Sequence, residues 1–440
     1  MSVALADAEV DEQELTRYAE DVRLMRKAGL AWVQKRQIIE SRGDWRIYRP
    51  RVTPGSFSFE YHNVWYPDVD DTAAAVIAFL KDNPHSVGST HVLDAVKWLL
   101  GMQCADDGWA AIDVDNDKLF LNRIPFLDMD SLCDPSTPDI VGRVLEAFGL
   151  FLLAAQQTGL HTSSLVCSLS LQVRSASIRG ISFLARRQES NGAWKGRWGV
   201  NYIYGTSTVL CEPAHFCYPD DDAKGYKCAG SASEVSSSRI CFMVRQALMF
   251  LVSTQNVDGG WGESLETYQY PEISGVTKAE FDRLFSVPST AAQTAWALNA
   301  LLSCLATSHP AIRAGIRYLV EHQKETSLQS TNQARAFARP LDAVKVEARV
   351  AAEQSPEDQV LDGAHKSSPA TPPSTPSGVL SVQPETTRTW PRDTYTGTEF
   401  PNHLYLDYTL YSHYFPMMAL GRFLRASKEE RLGKRSSLSL

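Results

Sequence analysis

The chain has 440 residues, of which 44% are apolar, and a formal net charge of −8 at pH 7. This length allows a sizeable hydrophobic core or two domains. The acidic balance argues against a general nucleic-acid-binding surface, which would be basic, so no nucleic-acid partner is predicted. No stretch contains enough consecutive apolar residues to span a bilayer. Residues 1–20 are acidic and lack the basic and apolar regions of a secretory signal, so we expect an intracellular protein.

The eight cysteines are expected to be reduced thiols in a chain of this size without a signal. Four of them cluster loosely around His215, namely Cys211, Cys217, Cys228 and Cys241. No pair has the Cys-x-x-Cys spacing that is typical of a zinc site. The sequence therefore predicts neither a metal site nor a cofactor.

Apolar residues recur at helical spacing along most of the chain, and sustained strand alternation is almost absent. The segments with this pattern are 12–40, 72–80, 90–103, 139–153, 176–187, 240–254, 291–305 and 311–322. Such a series of helix pairs predicts an all-α fold. We expect an α/α barrel (toroid) or a solenoid, in which one helix of each pair lies inside and the other outside.

A Gln-x-x-x-Gly-x-Trp repeat follows several of these helices. Gln188–Trp194 and Gln255–Trp261 fit it fully, while Gln103–Trp109 has Asp107 in the glycine position and Gln37–Trp45 is stretched. We expect the glutamine to hydrogen-bond the backbone at its helix end and the glycine to form a left-handed cap. The tryptophan is expected to cover the end of the next helix and to donate its indole N–H.

Two tracts and a tail interrupt the pattern. Residues 211–238 are polar and rich in Gly, Ser and Asp, which predicts a surface insertion. Residues 324–389 are rich in Ser, Thr, Pro, Ala, Gln and Glu, which predicts a low-complexity, disordered insertion. The barrel would then comprise 1–323 and 390–426, followed by a flexible tail at 427–440.

One acidic stretch stands out against this helical background. Tyr66-Pro-Asp-Val-Asp-Asp-Thr-Ala73 places three carboxylates within four positions and leads directly into an apolar helix. Residues at a helix N-terminus can turn several carboxyls toward one point, where backbone N–H groups satisfy some of them. Carboxylates held that close cannot all ionise at low cost, which keeps one protonated near neutral pH.

The acidic stretch resembles the Asp-x-Asp-Asp-Thr-Ala motif of squalene–hopene cyclases, and the repeats resemble that family's Gln-Trp motifs. Further matching stretches are Pro54–Phe59, Gly108-Trp109, Asp113–Asn116, Ile124–Asp128, Gly196–Thr206, Ser289–Trp296 and Tyr395–Pro401. The resemblance runs in order from about Arg26 to Arg425, insertions excluded. It covers the C-terminal, catalytic portion of a family whose members are longer and have two α-barrel domains. A truncated gene model, a fragment and a degenerate paralogue are all compatible with this coverage.

The resemblance implies an enzyme that protonates a terminal alkene of squalene and cyclises the resulting cation to a pentacyclic triterpene of the hopene or hopanol type. An alkene is a poor base, so the acid must be strong and dry. By motif position Asp70 would be the proton donor, with Asp68 and Asp71 holding it or relaying protons. Arg143 matches a position that carries a basic residue, and Asp139, one turn earlier, is expected to orient it.

The family stabilises cations with aromatic faces. The matching positions here are Phe59, Trp198, Tyr204, Phe400, Tyr405, Tyr408 and Tyr411. The last three are spaced three apart, which predicts that they share one side of a helical stretch. Phe126 and Leu127 match the family's narrow substrate entrance. Ile112, Leu404 and Met129 depart from it, since they replace aromatic residues, and this would favour early termination or altered products.

The resemblance also implies partners and a location. Squalene resides in the bilayer, so peripheral membrane contact is expected, at the endoplasmic reticulum or a lipid droplet in a eukaryote; a homodimer is compatible with the family.

Three alternatives stay open. One is an inactive remnant that binds lipid or nothing, and another is a diterpene-type class II cyclase, which would need a basic, magnesium-compatible patch. The third is a metal site at the Asp motif. An oxidosqualene cyclase is disfavoured, because its motif has one acid followed by Cys-Thr.

Overall fold

The computed structural model describes residues 12–60, 62–124, 132–211, 217–219, 226–228, 234–327, 386–392 and 394–434. The chain divides into two units, Met1–His322 with Pro391–Leu440 and Gln323–Trp390. The first unit contains helices α1 (Glu12–Gln34), α2 (Trp45–Tyr48), α3 (Val69–Asp82), α4 (Thr90–Gly101), α5 (Pro138–Gln157), α6 (Ser164–Arg187), α7 (Tyr202–Leu210), α8 (Glu234–Ser253), α9 (Lys278–Phe285), α10 (Ala291–Cys304), α11 (Pro310–Glu321) and α12 (Tyr411–Arg431). Short 3₁₀ turns cover Pro84–Gly88, Leu119–Arg123, Leu160–Thr162 and Leu265–Gln269.

The strands within the described ranges are short and form separate antiparallel hairpins. In the first unit, β1 (Cys217–Pro219) pairs with β2 (Tyr226–Cys228), and β5 (Gly397–Phe400) pairs with β6 (Leu404–Leu406). In the second unit, β3 (Lys324–Ser327) pairs with β4 (Thr386–Thr389). None of these hairpins forms a core sheet, as expected of an all-α chain.

Helices of the first unit form an inner and an outer row. In the inner row α3 packs on α5, α5 on α7, α7 on α10 and α10 on α12. In the outer row α4, α6, α8 and α11 pack on inner helices, and α4 also contacts α6. This alternation of inner and outer helices is the predicted α/α toroid.

The apolar pattern of each helix explains its row. Every residue of α10 except Ser303 is buried, so this helix is surrounded by protein on all sides. In α6 the buried side chains follow a spacing of three and four, as in Val166, Leu169, Val173 and Ala176, which leaves a polar outer face. The apolar helix α10 therefore lies in the inner row, and the amphipathic helix α6 lies in the outer row.

The repeat tryptophans close the turn in which each outer helix ends. In three copies the indole Nε1 donates to a leucine carbonyl ten residues earlier, at 2.7–2.8 Å. The pairs are Trp109 with Leu99, Trp194 with Leu184, and Trp261 with Leu251. All three tryptophans are fully buried. The indole N–H thus bonds back to the preceding helix, while the Trp109 ring contacts Phe148 of the following helix α5, with centroids 5.8 Å apart.

The repeat glutamines connect neighbouring outer helices. Nε2 of Gln188 donates to the Gly192 carbonyl in its own turn (3.0 Å) and to the Met243 carbonyl of α8 (2.9 Å). Gln255 makes the same pair of bonds to Gly259 and to Ala311 of α11. Gln103 does so as well, toward Asp107 and Ala176, whereas Gln37 binds the carbonyls of Gly55 and His91. The predicted bond to the helix end is present, and a second bond to the next helix accompanies it.

The glycine position of the repeat is left-handed in all three helix-end copies. Gly192 has φ +90° and Gly259 has φ +86°, while Asp107 adopts φ +75° at the corresponding place. A Cβ on Gly192 would collide with the backbone carbonyl of Gln246 in α8, so this copy needs glycine for space as well. Asp107 occupies its position with Arg186 and Arg179 as ion-pair partners. Aspartate tolerates left-handed backbone better than most residues, which explains the departure from the motif.

Several predicted boundaries differ from the structure. The helix predicted at 12–40 ends at Gln34, and the one predicted at 176–187 begins at Ser164. Helices α7 and α9 were not predicted. Helix α8 begins at Glu234, inside the predicted 211–238 insertion, and α12 continues to Arg431, inside the predicted tail. Most of the predicted 324–389 insertion lies outside the described residues. No helix in the described part of the chain has the length and apolar character needed to cross a membrane.

Candidate active site

The acidic stretch forms the N-terminus of the inner helix α3. Asp68 is its N-cap residue, and the Oδ1 atom accepts a hydrogen bond from the Asp71 N–H at 2.8 Å. Thr72 donates from its hydroxyl to the Asp68 carbonyl (2.6 Å) and accepts the Phe57 N–H (2.9 Å). A preceding extended segment is thereby bound to the helix, and the carboxylates are fixed relative to the core.

Asp70 points toward the neighbouring inner helix α5. Its Oδ1 accepts a hydrogen bond from Nε of Arg143 at 3.1 Å, and the two side chains are 33% and 22% exposed. Tyr204 of α7 also lies near the Arg143 guanidinium and helps to raise its pKa. The guanidinium therefore joins the acidic end of α3 to two other inner helices, while the remaining exposed surface of Asp70 faces a cavity.

The environment disfavours negative charge on all three carboxyls. Burial and the charges of Asp71 and Asp70 raise the pKa of Asp68 well above its usual value. Burial and the charge of Asp70, opposed by Arg143, raise the pKa of Asp71 to about 6. Burial also raises the pKa of Asp70, although Arg143 acts in the opposite direction. The group consequently retains protons at a pH where isolated aspartates have lost them.

Asp139 does not orient Arg143, contrary to the prediction. The side chain is 1% exposed, and Oδ2 accepts hydrogen bonds from the backbone N–H groups of Arg197 (2.9 Å) and Trp198 (3.0 Å). The ion pair of Arg143 is with Asp70 and not with Asp139. Asp139 instead fixes the loop before α7, which carries the Trp198 ring.

A cavity of about 490 Å³ opens in front of the carboxylates, within the usual range for small-molecule sites. Six of the seven predicted aromatic residues line it, namely Phe59, Trp198, Tyr204, Phe400, Tyr408 and Tyr411. The Tyr408 and Tyr411 rings stack with centroids 4.6 Å apart. Asp68, Asp70 and Asp71 line the same cavity. The structure therefore brings the acidic and aromatic positions together.

The three tyrosines do not form a helical stripe, so that prediction was wrong. Tyr405 lies in strand β6, Tyr408 in the following loop and Tyr411 at the start of α12. Tyr405 is not among the residues that line the cavity, and its ring contacts Tyr268 and Tyr395 instead. Spacing by three suggested a helix, but the pairing of β6 with β5 sets the backbone here.

The departures from the family pattern lie in different places. Ile112 lines the cavity, whereas Leu404 lies in β6 and is 37% exposed. Phe126, Leu127 and Met129 lie outside the described residues. Of the two departures that the structure describes, Ile112 is the one at which a lost aromatic ring changes the wall of the cavity.

Sequence reasoning missed supporting residues around the cavity. Trp296 of α10 is 3% exposed and packs edge-on against Tyr204 (5.0 Å) and Tyr411 (6.2 Å). Glu263, two residues after the repeat Trp261, accepts backbone N–H bonds from Tyr202 (2.9 Å) and Ile203 (2.8 Å) at the start of α7. Trp296 lies within Ser289–Trp296, one of the stretches that match the family, and Glu263 follows the repeat that ends at Trp261. Their positions in or beside these motifs are the signal that could have identified them.

A toroid of Gln-Trp helix pairs that holds an acidic triplet against aromatic rings defines a chain of the terpene cyclase class. A model of the squalene-hopene cyclase C-terminal domain matches residues 3–340 and 374–425. The chain belongs to the squalene–hopene cyclase family.

Three relatives illustrate the likeness. The terpene cyclase-glycosyl transferase fusion protein fsoA of Humicola fuscoatra is 38% identical over 398 residues, 90% of this chain and 23% of that protein. The squalene hopane cyclase afumA of Aspergillus fumigatus is 42% identical, and the match covers 70% of this chain and 40% of that protein. The squalene–hopene cyclase of Alicyclobacillus acidocaldarius is 32% identical, and the match covers 91% of this chain and 46% of that protein. The chain thus spans less than half the length of these relatives.

Proposed function

We propose that this chain is the catalytic portion of a class II triterpene cyclase that acts on squalene. The observation that supports the proposal most strongly is the position of Asp70. Its carboxyl faces a cavity lined by aromatic rings, while the half-buried Arg143 binds it from the neighbouring helix. Relatives of this chain are named squalene–hopene cyclases, which supports the same substrate.

The chemistry follows from this arrangement. Protonated Asp70 donates its proton to a terminal C=C bond, whose π electrons form the new C–H bond and leave a tertiary cation. Each further alkene donates its π pair to the cation, so every ring closure forms one C–C bond and moves the charge onward. Arg143 stabilises the Asp70 carboxylate left behind. The final cation either loses a proton to water or takes up water and then releases one proton from the resulting oxonium. Asp70 regains a proton from water, which restores the proton balance.

The rings near the carboxylates suit a migrating cation. Tyr204, Tyr408 and Tyr411 present aromatic faces or edges around the cavity, and none is an anion at neutral pH, because burial raises the pKa of each. Aromatic faces stabilise positive charge without trapping it as a covalent product. Ile112 supplies no such face, so we propose hopene-type or earlier-terminated products.

The charge of the cavity argues against a prenyl diphosphate substrate. Among its described lining residues are seven carboxylates (Asp44, Asp68, Asp70, Asp71, Asp113, Asp134 and Glu399) and one guanidinium (Arg197). A diphosphate needs a cationic site or bound magnesium with room to reach it. Squalene is an uncharged hydrocarbon and meets no such repulsion. The diterpene-type alternative is therefore less well supported.

Incubation of the purified chain with squalene, followed by gas chromatography–mass spectrometry, tests the proposal. We expect cyclised product from the wild type and from Asp117→Asn, an exposed aspartate, and at least a hundredfold less from Asp70→Asn. Cyclised product in equal amounts from Asp70→Asn would exclude Asp70 as the donor. Squalene that binds but leaves unchanged would favour the lipid-binding alternative.

Peripheral membrane contact is a further part of the proposal. Phe59 (61% exposed), Tyr66 (46%) and Leu132 (44%) line the cavity and also reach solvent. Apolar side chains at such a mouth would let squalene pass from a bilayer without crossing water. Co-sedimentation with phospholipid vesicles checks this, since Phe59→Ser should weaken it. Homodimer formation and an intracellular location stay predictions from the sequence.

A further inference from the structure

A buried carboxylate outside the cavity lies on the helix that carries Arg143. Glu146 follows Arg143 by one turn of α5 and is only 5% exposed. It does not line the cavity, and it stands outside the sequence motifs that identify the family. A buried charge of this kind needs partners, because its transfer from water is costly.

Glu146 finds its partners on two other inner helices. Its Oε1 atom accepts a hydrogen bond from Nζ of Lys81, in the last turn of α3, and lies 3.9 Å from Nη2 of Arg422 in α12. Asp70 lies in the first turn of the same helix as Lys81. The charges therefore alternate from Asp70 to Arg143, to Glu146, and then to Lys81 and Arg422.

The charge of Glu146 reaches the donor through space. Burial opposes ionisation, but Lys81, Arg143 and Arg422 together lower the pKa of Glu146 to about 2. Glu146 is thus an anion at neutral pH, and its charge raises the pKa of Asp70, against the effect of Arg143. Other titratable groups facing this pair are Asp68 and Asp71 on α3, Asp139 on α5, Tyr204 on α7 and Tyr411 on α12.

We propose that Glu146 is a positioning residue that sets the acidity of Asp70 by acting on the Asp70–Arg143 pair, and that Lys81 and Arg422 limit its effect. This inference rests on the proposed role of Asp70 as donor. An acid must carry its proton before it can donate, and Arg143 alone would favour the ionised form. Glu146 offsets part of that attraction, while Arg143 stays in place to stabilise the carboxylate after transfer.

The sign of the effect separates this role from a structural one. With ¹³Cγ-labelled aspartate in the full chain, the Asp70 carboxyl signal is assigned by its absence in Asp70→Asn and is then titrated by NMR. We expect Glu146→Gln to lower the apparent pKa of Asp70 by roughly half a unit to one unit. Lys81→Gln, which breaks the same ion pair but keeps the Glu146 charge, should raise it.

The titration needs no catalysis, so it remains decisive if the chain turns over no substrate. A pKa of Asp70 that stays unchanged in both variants, or moves in the same direction in both, would overturn the inference. If Glu146→Gln does not fold, Lys81→Gln and Arg422→Gln decide it, because both are expected to raise the pKa of Asp70.

Turnover gives a second readout. In the pH profile of squalene cyclisation, the alkaline limb of kcat should move to lower pH in Glu146→Gln and to higher pH in Lys81→Gln, with KM unchanged. Profiles that superpose on the wild type would contradict the role of Glu146 and leave the proposed function intact. Cyclised product absent from the wild type at every pH would instead contradict the proposed function, and the NMR titration would still test Glu146.

Discussion

The three carboxylates at the start of α3 occupy positions that disfavour their own charge. Burial raises the pKa of Asp68, Asp70 and Asp71, and their mutual repulsion adds to it for Asp68 and Asp71. A carboxyl whose pKa is higher in the folded than in the unfolded chain lowers stability as pH rises between the two values. The same feature that keeps a proton available for an alkene therefore costs folding free energy at neutral pH.

Asp71→Asn tests this cost. The pKa of Asp71 is about 6 in the folded chain and has a usual value of 3.8. Protonation of this carboxyl therefore stabilises the folded chain fully below pH 3.8, and this contribution is lost as the pH rises to 6. We expect the variant to gain on the order of 2 kcal/mol in the free energy of unfolding at pH 7, and little at pH 4. Urea unfolding at both pH values measures it. The exposed control Asp117→Asn should show no such difference, and an equal gain at pH 4 would contradict the electrostatic cause.

The Gln-Trp repeats act at the scale of whole helices. In three copies the glutamine carboxamide binds one carbonyl in its own turn and one in the next outer helix, while the tryptophan indole binds back to the helix it follows. The leucine carbonyls that the indoles bind lie in the last turn of each outer helix, where intrahelical partners run out. The outer row is consequently connected by directional bonds, in addition to its apolar contact with the inner row.

Gln188→Ala tests the connection between α6 and α8. It removes two hydrogen bonds from partly buried groups, to Gly192 and Met243, so we expect a loss of about 2 kcal/mol in unfolding free energy. Hydrogen exchange at the start of the repeat loop should accelerate as well. Gln157→Ala, at the exposed end of α5, is the matched control and should change stability by less than about 0.5 kcal/mol. Equal losses in both variants would show that the repeat glutamine contributes no more to stability than an exposed glutamine does.

The helices were largely predictable from apolar spacing, but the elements between them were not. Inner helix α7 is nine residues long and follows a Gly-rich loop, which hides its period. Tyr405, Tyr408 and Tyr411 have helical spacing, yet the hairpin β5–β6 pulls the first of them into a strand. Asp139 could be placed near Arg143 by counting residues, although its bonds go to the loop backbone at Arg197 and Trp198. Such partners come from distant parts of the chain, and local periodicity carries no information about them.

At the scale of the whole molecule, the acidic and aromatic positions come from segments far apart in sequence. Asp70 and Arg143 are 73 residues apart, and Tyr408 and Tyr411 follow after a long intervening tract. The toroid brings these segments to one cavity because the inner helices α3, α5, α7 and α12 present their N-terminal ends to it. The motifs predicted which residues would meet, whereas the ion pairs behind them, such as Glu146 with Lys81, needed the three-dimensional packing.

The tract between the repeats offers a test of the predicted domain organisation. Strands β3 and β4 pair Lys324 with Thr389 and Ser327 with Thr386, so the two ends of the tract lie side by side. Replacing residues 328–385 with Asn-Gly would close β3 and β4 as a tight hairpin without moving either strand. If the tract contributes no packing, as its composition predicts, the shortened chain should unfold cooperatively with a Tm within about 3 °C of the full chain, because loop length has only a weak effect on stability. A scrambled tract of equal length and composition is the control and should behave like the native one. A large drop in Tm for both variants would show that the tract packs against folded structure and would refute its assignment as a disordered insertion.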